Sequence, residues 1–399
     1  MLWWKEYQCC AEEKLKKRIE NMVTVFDKIK SVLIKPFVKS ENLSMLIFFI
    51  TSRCNQKCKS CFIWQRKDNA KADLSISEIE SVSKKAPLID VLLLSGGEPF
   101  MREDIVDIIR LFFENNGIKN LAIPTNGSLT DISCSKIKEI ASISSGLSVS
   151  VNFSIDGTMD IHDSIRGVSG AFKQTVLTLE SVLALKKEYH NISVVVNTVI
   201  MSDNLENISS LMSFIDDKGY DLDHVFEIVR GKPQSPDMLH MDQRLLKEVY
   251  ADVLLYQEKR LKEKYCRHDF KWIIDSFIAR ICLANLSVFY RKQLDIYFKQ
   301  KSWGFPCQAG NSISVLYSNG DMPLCELRDS GIMNIRDNDY DMKKILQSEN
   351  FVDLRKKIRH EKCSCTHICF LMESAYKSVS FLFFQYPVTF LKMLFKARI

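Results

Sequence analysis

The sequence predicts an α/β fold in which a parallel sheet curls into a partial barrel. Short apolar runs alternate with segments of helical periodicity between residues 45 and 235. The predicted strands are Met45–Ile50, Val91–Leu94, Leu121–Ile123, Leu147–Ile155, Ile192–Ile200 and Leu222–Val229. Strands that alternate with helices form parallel βα units, and right-handed crossovers can curl such a sheet. Six units predict a partial (β/α)6 TIM-like barrel.

Helix boundary signals lie between these strands. Ser75 and Glu78 have the spacing of a capping box, which opens a helix. Gly117 and Gly219 are suited to end two others, because glycine adopts the left-handed conformation without steric cost. Further predicted helices are Asp104–Asn115, Lys136–Ser142, Ala171–Tyr189 and Leu205–Asp217.

Chemically distinctive segments follow the first three strands. Cys54, Cys58 and Cys61 come after the first strand. Gly96-Gly97-Glu98-Pro99 follows the second strand, and Thr125-Asn126-Gly127 follows the third. Active sites of such barrels lie at the carboxyl ends of the strands. The three segments are therefore predicted to share one mouth.

The composition is that of a folded protein in a reducing compartment. The chain has 399 residues and a net charge of +6, which gives no argument for nucleic acid. Its thirteen cysteines follow no secretion signal, so metal binding or chemistry is favoured over disulfides. Most lie in two groups, one over residues 54–61 and one over residues 307–369. The remaining cysteines, at positions 9, 10, 134, 266 and 282, are interpreted as core or filler thiols.

The first group has the spacing C-x3-C-x2-C. Three thiolates can hold three irons of a [4Fe–4S] cluster and leave the fourth iron open. Structural zinc normally takes four ligands, and no second pair of cysteines lies nearby in the predicted barrel. The spacing therefore favours an iron–sulfur cluster over zinc.

This cysteine motif, followed by Gly-Gly-Glu-Pro after the second strand, resembles the radical S-adenosylmethionine (radical SAM) superfamily over residues 45–235. The resemblance implies that S-adenosylmethionine binds the open iron and is cleaved reductively. The resulting 5′-deoxyadenosyl radical takes a hydrogen atom from the substrate. Ser60 departs from the family, where an aromatic residue often precedes the third cysteine; Phe62 or Trp64 is a candidate for that role.

The resemblance also assigns residues to the cofactor. Gly96, Gly97, Glu98 and Pro99 would meet the methionine amino group. Thr125 and Asn126 would lie on the ribose side, with an ordinary Asn-Gly turn as the alternative.

A later stretch resembles family members that carry a SPASM or Twitch extension. There Ser154 would contact the cofactor, Arg166 would pair with the methionine carboxylate, and Asp156 would be a catalytic proton acceptor facing substrate. Asn197 is a further cofactor candidate. A simple turn at Asp156-Gly157 and a solvated loop at His162-Asp163 remain the alternatives.

The second cysteine group lies in residues 303–376. Cys307 and the segment from Gly320 to Cys325 resemble the opening of a SPASM/Twitch domain, which holds auxiliary iron–sulfur clusters. The group closes with Cys363, Cys365 and Cys369, an unusual spacing. One auxiliary [4Fe–4S] cluster with four ligands and a spare cysteine is expected. Zinc stays open as an alternative, as does the choice of ligands.

Three segments complete the predicted organisation. Residues 1–44 form an amphipathic helical segment, and residues 236–302 form a helical connector. Residues 377–399 form an apolar tail with basic but no acidic residues. It is too short to cross a bilayer. It packs on the protein's own barrel or in a dimer, or it lies at a membrane surface. The predicted location is cytoplasmic, with peripheral contact at the inner membrane face as the variant.

The predicted function is a radical SAM oxidoreductase or radical-modifying enzyme acting on a small-molecule or lipid-linked substrate. An electron donor such as flavodoxin or ferredoxin is the expected partner. A peptide or protein maturase is the alternative, although residues 1–44 are too few for a leader-binding domain. A non-catalytic zinc or iron–sulfur protein with a barrel relic is the alternative from another class.

Overall fold

A computed structural model describes residues 42–66, 72–265, 272–299, 302–328, 330–388 and 391. The amphipathic segment predicted at residues 1–44 lies almost wholly outside the described residues. The same holds for the end of the tail.

A single parallel sheet of seven strands organises the barrel, in the order β6-β5-β4-β3-β2-β1-β7. Its strands are β1 Leu43–Thr51, β2 Ile89–Gly96, β3 Asn120–Thr125, β4 Ser148–Ser154, β5 Ile192–Ile200, β6 Asp223–Ile228 and β7 Ile313–Leu316. The six predicted strands and the α/β fold class are confirmed. The two edge strands β6 and β7 do not pair with each other in the described structure, so the barrel is partial.

Helices connect the strands on the outside of the sheet. They are α1 Ile76–Lys85, α2 Ile105–Asn116, α3 Thr130–Ala141, α4 Met159–Arg166, α5 Ala171–Glu188 and α6 Ile208–Asp217. The capping box of Ser75 and Glu78 is formed at the start of α1. Gly117 ends α2 in the left-handed conformation, as its position predicts.

Helix α4 was not predicted and changes the interpretation of its residues. The alternative of a solvated loop at His162-Asp163 is wrong, because His162 is fully buried within α4. The helix has only eight residues, too few for apolar periodicity to stand out in the sequence.

Strand β7 comes from the predicted C-terminal domain and pairs in parallel with β1, from Met45–Ile313 to Phe48–Leu316. It was not predicted, because a run of only four buried residues gives little alternation to read. The predicted division at residue 303 therefore separates two parts that share one sheet.

The remaining elements follow the barrel. Two long helices, α7 Gln243–Tyr265 and α8 Trp272–Lys299, occupy the predicted connector. The C-terminal region contains β8 Asp321–Met322, β9 Met333–Asn334, α9 Met342–Gln347, α10 Glu349–His360 and α11 Ile368–Tyr376. The main hydrophobic core is continuous from the sheet into this region, where it includes Met322 and Phe351.

The tail begins by packing on the protein. Phe381, in a π-helical turn over Phe381–Gln385, is fully buried and stacks on Phe289 at 5.9 Å between ring centroids. Phe383 and Phe384 are 46% and 69% exposed. No helix in the described part of the chain is long and apolar enough to cross a membrane.

Candidate functional site

The loop that carries Cys54, Cys58 and Cys61 is clamped by backbone hydrogen bonds from two sides. From α4, the carbonyl oxygens of Ile165 and Arg166 accept from the amides of Lys59 at 2.9 Å and Lys57 at 3.2 Å. After β6, the amides of Gln234 and Ser235 donate to the carbonyls of Cys61 at 3.1 Å and Lys59 at 2.9 Å. The first cysteine group is therefore held by distant parts of the barrel.

Gly96 and Gly97 lie against the start of this loop. The amide of Gly97 donates to the carbonyl of Thr51 at 2.9 Å, and that of Glu98 donates to the carbonyl of Arg53 at 2.8 Å. A Cβ on Gly97 would lie 1.9 Å from the Arg53 carbonyl oxygen, and one on Gly96 would lie 2.5 Å from that of Thr51. The glycines are required because the backbone of the cysteine loop occupies the space of a side chain.

The Glu98 carboxylate joins the ends of β2 and β3. Its Oε1 accepts from the hydroxyl of Thr125 at 2.9 Å, and its Oε2 accepts from the amide of Asn126 at 2.8 Å. Glu98 is 1% exposed, and this burial raises the pKa of its carboxyl to about 7 despite the hydrogen bonds it accepts.

Asn126 links the third strand to the cysteine loop. Its Nδ2 donates to Oδ1 of Asn55 at 2.9 Å, and Asn55 in turn donates to the Ser128 hydroxyl at 2.8 Å. The predicted ribose-side segment and the first cysteine group are therefore in direct contact.

Arg166, the last residue of α4, reaches toward both the cysteines and β4. Its Nη2 donates to Oδ2 of Asp156 at 2.6 Å and to the carbonyl of Ser154 at 3.0 Å. Its Nη1 lies 3.7 Å from Sγ of Cys58. The guanidinium therefore sets a positive charge beside one of the predicted ligands.

Asp156 makes different contacts from those expected of a proton acceptor. It is 1% exposed, and its other oxygen, Oδ1, accepts from the amide of Val199 at 3.0 Å. Its own amide donates to Nδ1 of His162, a ring whose pKa burial lowers to about 2. Because both carboxylate oxygens are bound to the protein, the geometry favours a role in holding Arg166 over proton transfer with a substrate.

All residues predicted as cofactor or catalytic groups in the barrel line one cavity of about 250 Å³. They are Cys54, Cys58, Cys61, Gly96, Gly97, Glu98, Pro99, Thr125, Asn126, Ser154, Asp156, Arg166 and Asn197. Ser60 and Phe62 also line it. Trp64 lies in a short helical turn and is 39% exposed. Of the two aromatic candidates to replace the residue before the third cysteine, Phe62 is the one at the cavity.

Residues 48–215 match the model of the radical SAM superfamily. The chain therefore carries a radical SAM domain over these residues. Members of this superfamily use a [4Fe–4S] cluster and S-adenosylmethionine.

Curated relatives match a little under half of the chain. The chain is 26% identical over 188 residues to an AdoMet-dependent heme synthase of Oleidesulfovibrio alaskensis, covering 46% of this chain and 45% of that protein. It is 31% identical over 195 residues to a pre-heme d1 synthase of Dinoroseobacter shibae, covering 47% and 45%. The chain thus spans about half the length of the curated relatives it matches.

Solved structures share the fold over most of the chain. One, a histidine-tagged form of anSMEcpe with bound AdoMet, aligns with a TM-score of 0.55 at 16% identity, covering 87% of this chain and 95% of that one. Another, Streptococcus suis SuiB bound to precursor peptide SuiA, aligns with a TM-score of 0.53 at 16% identity, covering 85% and 72%. At this level of identity the two alignments show a shared fold.

Sequence reasoning missed a charged wall of the cavity, formed by Glu227 and Arg230 near the end of β6. Arg230 donates to Glu227, lies over the ring of Phe62 at 5.2 Å, and is 3.8 Å from Glu326. Burial alone would lower the pKa of the Arg230 guanidinium. The carboxylates of Glu227 and Glu326 outweigh that effect and raise the pKa. Their place at the end of a predicted parallel strand was the available signal.

The second cysteine group is half-buried. Burial raises the pKa of Cys307 to about 11 and those of Cys325 and Cys369 to about 12. Glu326, beside Cys325, pairs with Nε2 of His367 at 3.0 Å. Thiols in such surroundings stay protonated until a metal displaces the protons.

No three His, Cys, Asp or Glu side chains of the described residues are arranged to hold a single metal ion. A zinc ion with bonds of about 2.3 Å would draw four sulfurs close together, whereas an iron–sulfur cluster places its own atoms between the thiolates. The thiol donors of the second cysteine group suit an iron–sulfur cluster.

Proposed function

We propose that the protein is a radical SAM enzyme that reductively cleaves S-adenosylmethionine and removes a hydrogen atom from its substrate. The observation that supports this most is the single cavity, because it collects the predicted residues of several strand ends around the three cysteines. Relatives with the same domain are enzymes by name.

The residues at the cavity fit a cluster with an open iron. Cys54, Cys58 and Cys61 would hold it, and the guanidinium of Arg166 would lie beside the sulfur of Cys58. When bound, such a cluster supplies the electron that splits S-adenosylmethionine and so generates the hydrogen-abstracting 5′-deoxyadenosyl radical.

The chain's own residues would position the cofactor. Asp156 fixes the guanidinium of Arg166, which leaves that positive charge oriented toward the cavity. Ser154 and Asn197 are register partners on β4 and β5, so they would meet the cofactor from neighbouring strand ends. Apolar wall residues, among them Phe49 and Ile63, would help to exclude water from the reactive site.

The second cysteine group would hold an auxiliary cluster. A donor such as flavodoxin or ferredoxin would supply the reducing electrons. Because Cys365 and Cys369 lie close to Arg230 of the cavity wall, the auxiliary cluster would lie near that wall.

For the substrate, we propose a small or lipid-linked molecule. The names of the curated relatives, heme and pre-heme d1 synthases and a GTP 3′,8-cyclase of Yersinia pestis, all concern small molecules. The alternative is a peptide or protein maturase, and the precursor peptide named in the SuiB structure is what favours it.

Peripheral contact with the inner membrane face stays part of the proposal. Phe383, Phe384, Val388 and Leu391 are exposed in the tail, which carries Lys377 and has no acidic residue after Glu373. Exposed aromatic and aliphatic side chains beside basic residues suit the lipid interface.

Formation of 5′-deoxyadenosine tests the proposed reaction. Anaerobically reconstituted protein with dithionite and S-adenosylmethionine should produce it, and Cys54→Ala should not. Cys134→Ala is the matched control, because Cys134 is a half-buried thiol on α3 outside both groups. If wild type and Cys54→Ala both form 5′-deoxyadenosine only at background level, the proposed reaction is wrong and the non-catalytic alternative is favoured.

A further inference from the structure

The cysteine loop has a basic outer face. Residues 51–61 include Arg53, Lys57 and Lys59 and contain no acidic residue. We infer that these three basic residues form the docking surface for the electron donor, and that the donor is a small acidic protein with its redox group near its own surface. The inference rests on the proposed function, which requires such a donor, and specifies where it binds.

The inner and outer faces of the loop differ. The three cysteines line the cavity of about 250 Å³ that the cofactor would occupy. Arg53, Asn55 and Lys57 stand at alternate positions of the same segment and are exposed. A donor protein is too large to enter the cavity, so it must approach the loop from the outside, where these side chains lie.

The basic residues are adjacent to the proposed cluster ligands. Lys57 and Lys59 flank Cys58 in the chain, and consecutive Cα atoms are about 3.8 Å apart. Electron transfer slows steeply with distance, so a donor on this face would have a short path to the cluster. The donor is oxidised by one electron, the cluster is reduced by one, and the cleavage of one S-adenosylmethionine consumes that electron.

The turn after α4 adds an apolar contact beside the basic residues. Gly167 lies against Lys57, because a Cβ on Gly167 would be 3.0 Å from the Lys57 carbonyl oxygen. Val168, the next residue, is 37% exposed. Electron-transfer complexes bury little surface, below about 1,200 Å² in total. A few exposed lysines around one apolar side chain suit an interface of that size.

Asp203 is a carboxylate at the edge of the basic face. It pairs with Nζ of Lys59 at 3.2 Å, and the same Nζ donates to the hydroxyl of Ser164 at 3.1 Å. Opposite charges speed the association of two proteins, and like charges slow it. An acidic donor would therefore be attracted by Lys57 and Arg53 and opposed by Asp203.

Two reductants separate docking from the chemistry. An acidic flavodoxin, kept reduced by NADPH and its reductase, must dock, whereas photoreduced deazariboflavin is small and uncharged. Lys57→Glu should raise the apparent KM for flavodoxin in 5′-deoxyadenosine formation at least about fivefold at low salt. The rate with deazariboflavin should stay unchanged. Lys187→Glu is the matched control, because Lys187 is exposed in the last turn of α5, at the opposite end of the strands.

A second variant should act in the opposite direction. Asp203→Asn removes a carboxylate from the face and leaves the charge of Lys59 unpaired by it, so the apparent KM for flavodoxin should fall. Raising the salt from about 0.01 M to about 0.15 M shortens the screening length from about 30 Å to about 8 Å. The differences between wild type and both variants should therefore shrink.

The outcomes distinguish this inference from the proposed function. Equal apparent KM values for flavodoxin in wild type, Lys57→Glu and Asp203→Asn would overturn the docking surface. So would a loss of rate in Lys57→Glu that is the same with both reductants, because it would mean damage to the cluster site. Wild-type protein that forms no 5′-deoxyadenosine with deazariboflavin would instead overturn the proposed reaction.

Discussion

Arg166 and Asp156 form a buried ion pair in which Nη2 donates to Oδ2 at 2.6 Å, with side chains 10% and 1% exposed. The same guanidinium reaches Sγ of Cys58. Asp156 thereby sets the position of a charge that faces the cysteines, although its own oxygens are bound to the protein.

We expect Asp156→Asn to destabilise the protein by about 3–5 kcal/mol, because it leaves the Arg166 charge buried without a partner. Binding of S-adenosylmethionine should weaken as well, since Arg166 would no longer be fixed. Urea unfolding and equilibrium binding measure the two effects.

Asp203→Asn is the matched control, because Asp203 pairs with Lys59 at 3.2 Å on the surface. Its effect should be about 0–1 kcal/mol. If Asp156→Asn binds S-adenosylmethionine and forms 5′-deoxyadenosine normally but fails only on substrate, Asp156 is a proton acceptor after all.

Gly97→Ala should disrupt the first cysteine group. The new Cβ would lie 1.9 Å from the Arg53 carbonyl oxygen and 2.8 Å from Cβ of Cys54, so the loop backbone must move. We expect a loss of at least about 1–3 kcal/mol in stability and of most iron from the first cluster. Gly146→Ala, whose Cβ would meet only Ser144 Oγ at 3.6 Å, should change neither iron content nor stability. Full iron in Gly97→Ala would contradict the close packing.

The buried carboxyl of Glu98 should make stability depend on pH. Burial raises its pKa from 4.5 to about 7, so the folded state favours the protonated form. The stability that the protonated Glu98 carboxyl contributes is fully present below pH 4.5. It is lost as pH rises through 7, at up to about 1.4 kcal/mol per pH unit.

Glu98→Gln cannot titrate and should therefore lose stability less steeply than wild type between about pH 5 and 7. Urea unfolding of the two apoproteins at several pH values measures the difference. Parallel stability curves would show that Glu98 is ionised in the folded protein throughout this range.

The exposed aromatic residues of the tail allow a test of membrane contact. Ending the chain at Tyr376 is unsuitable, because it removes the fully buried Phe381. Changing Phe383 and Phe384 to Ser should instead lower co-sedimentation with anionic liposomes several-fold at constant stability. Leu255→Ser, at a residue 66% exposed on α7, controls for loss of an exposed apolar side chain elsewhere. Equal sedimentation of all variants would mean that the tail does not bind lipid.

The sequence was most informative where a long local pattern or a parallel topology determines the outcome. Strand Ile192–Ile200 has its predicted bounds because its branched residues extend over nine positions. The convergence of the cysteines with Gly96-Gly97-Glu98-Pro99 follows from parallel strands, whose carboxyl ends share one edge.

Contacts between distant residues were the part that sequence reasoning missed. Asp156 was expected to face a substrate because nothing in its own segment reveals that Arg166 binds it from α4. Arg230 carries no motif, and its place between Phe62 and Glu326 exists only once the barrel and the C-terminal region are folded together.

Strand β7 completes β1 from more than 250 residues away in sequence. During synthesis on the ribosome, the amides and carbonyls at the outer edge of β1 therefore lack their β7 partners until the C-terminal region emerges. An isolated fragment that ends at residue 235 would keep this edge open permanently, and exposed edges of this kind pair with other chains. The C-terminal region thus protects the completed barrel from self-association, quite apart from any metal it binds.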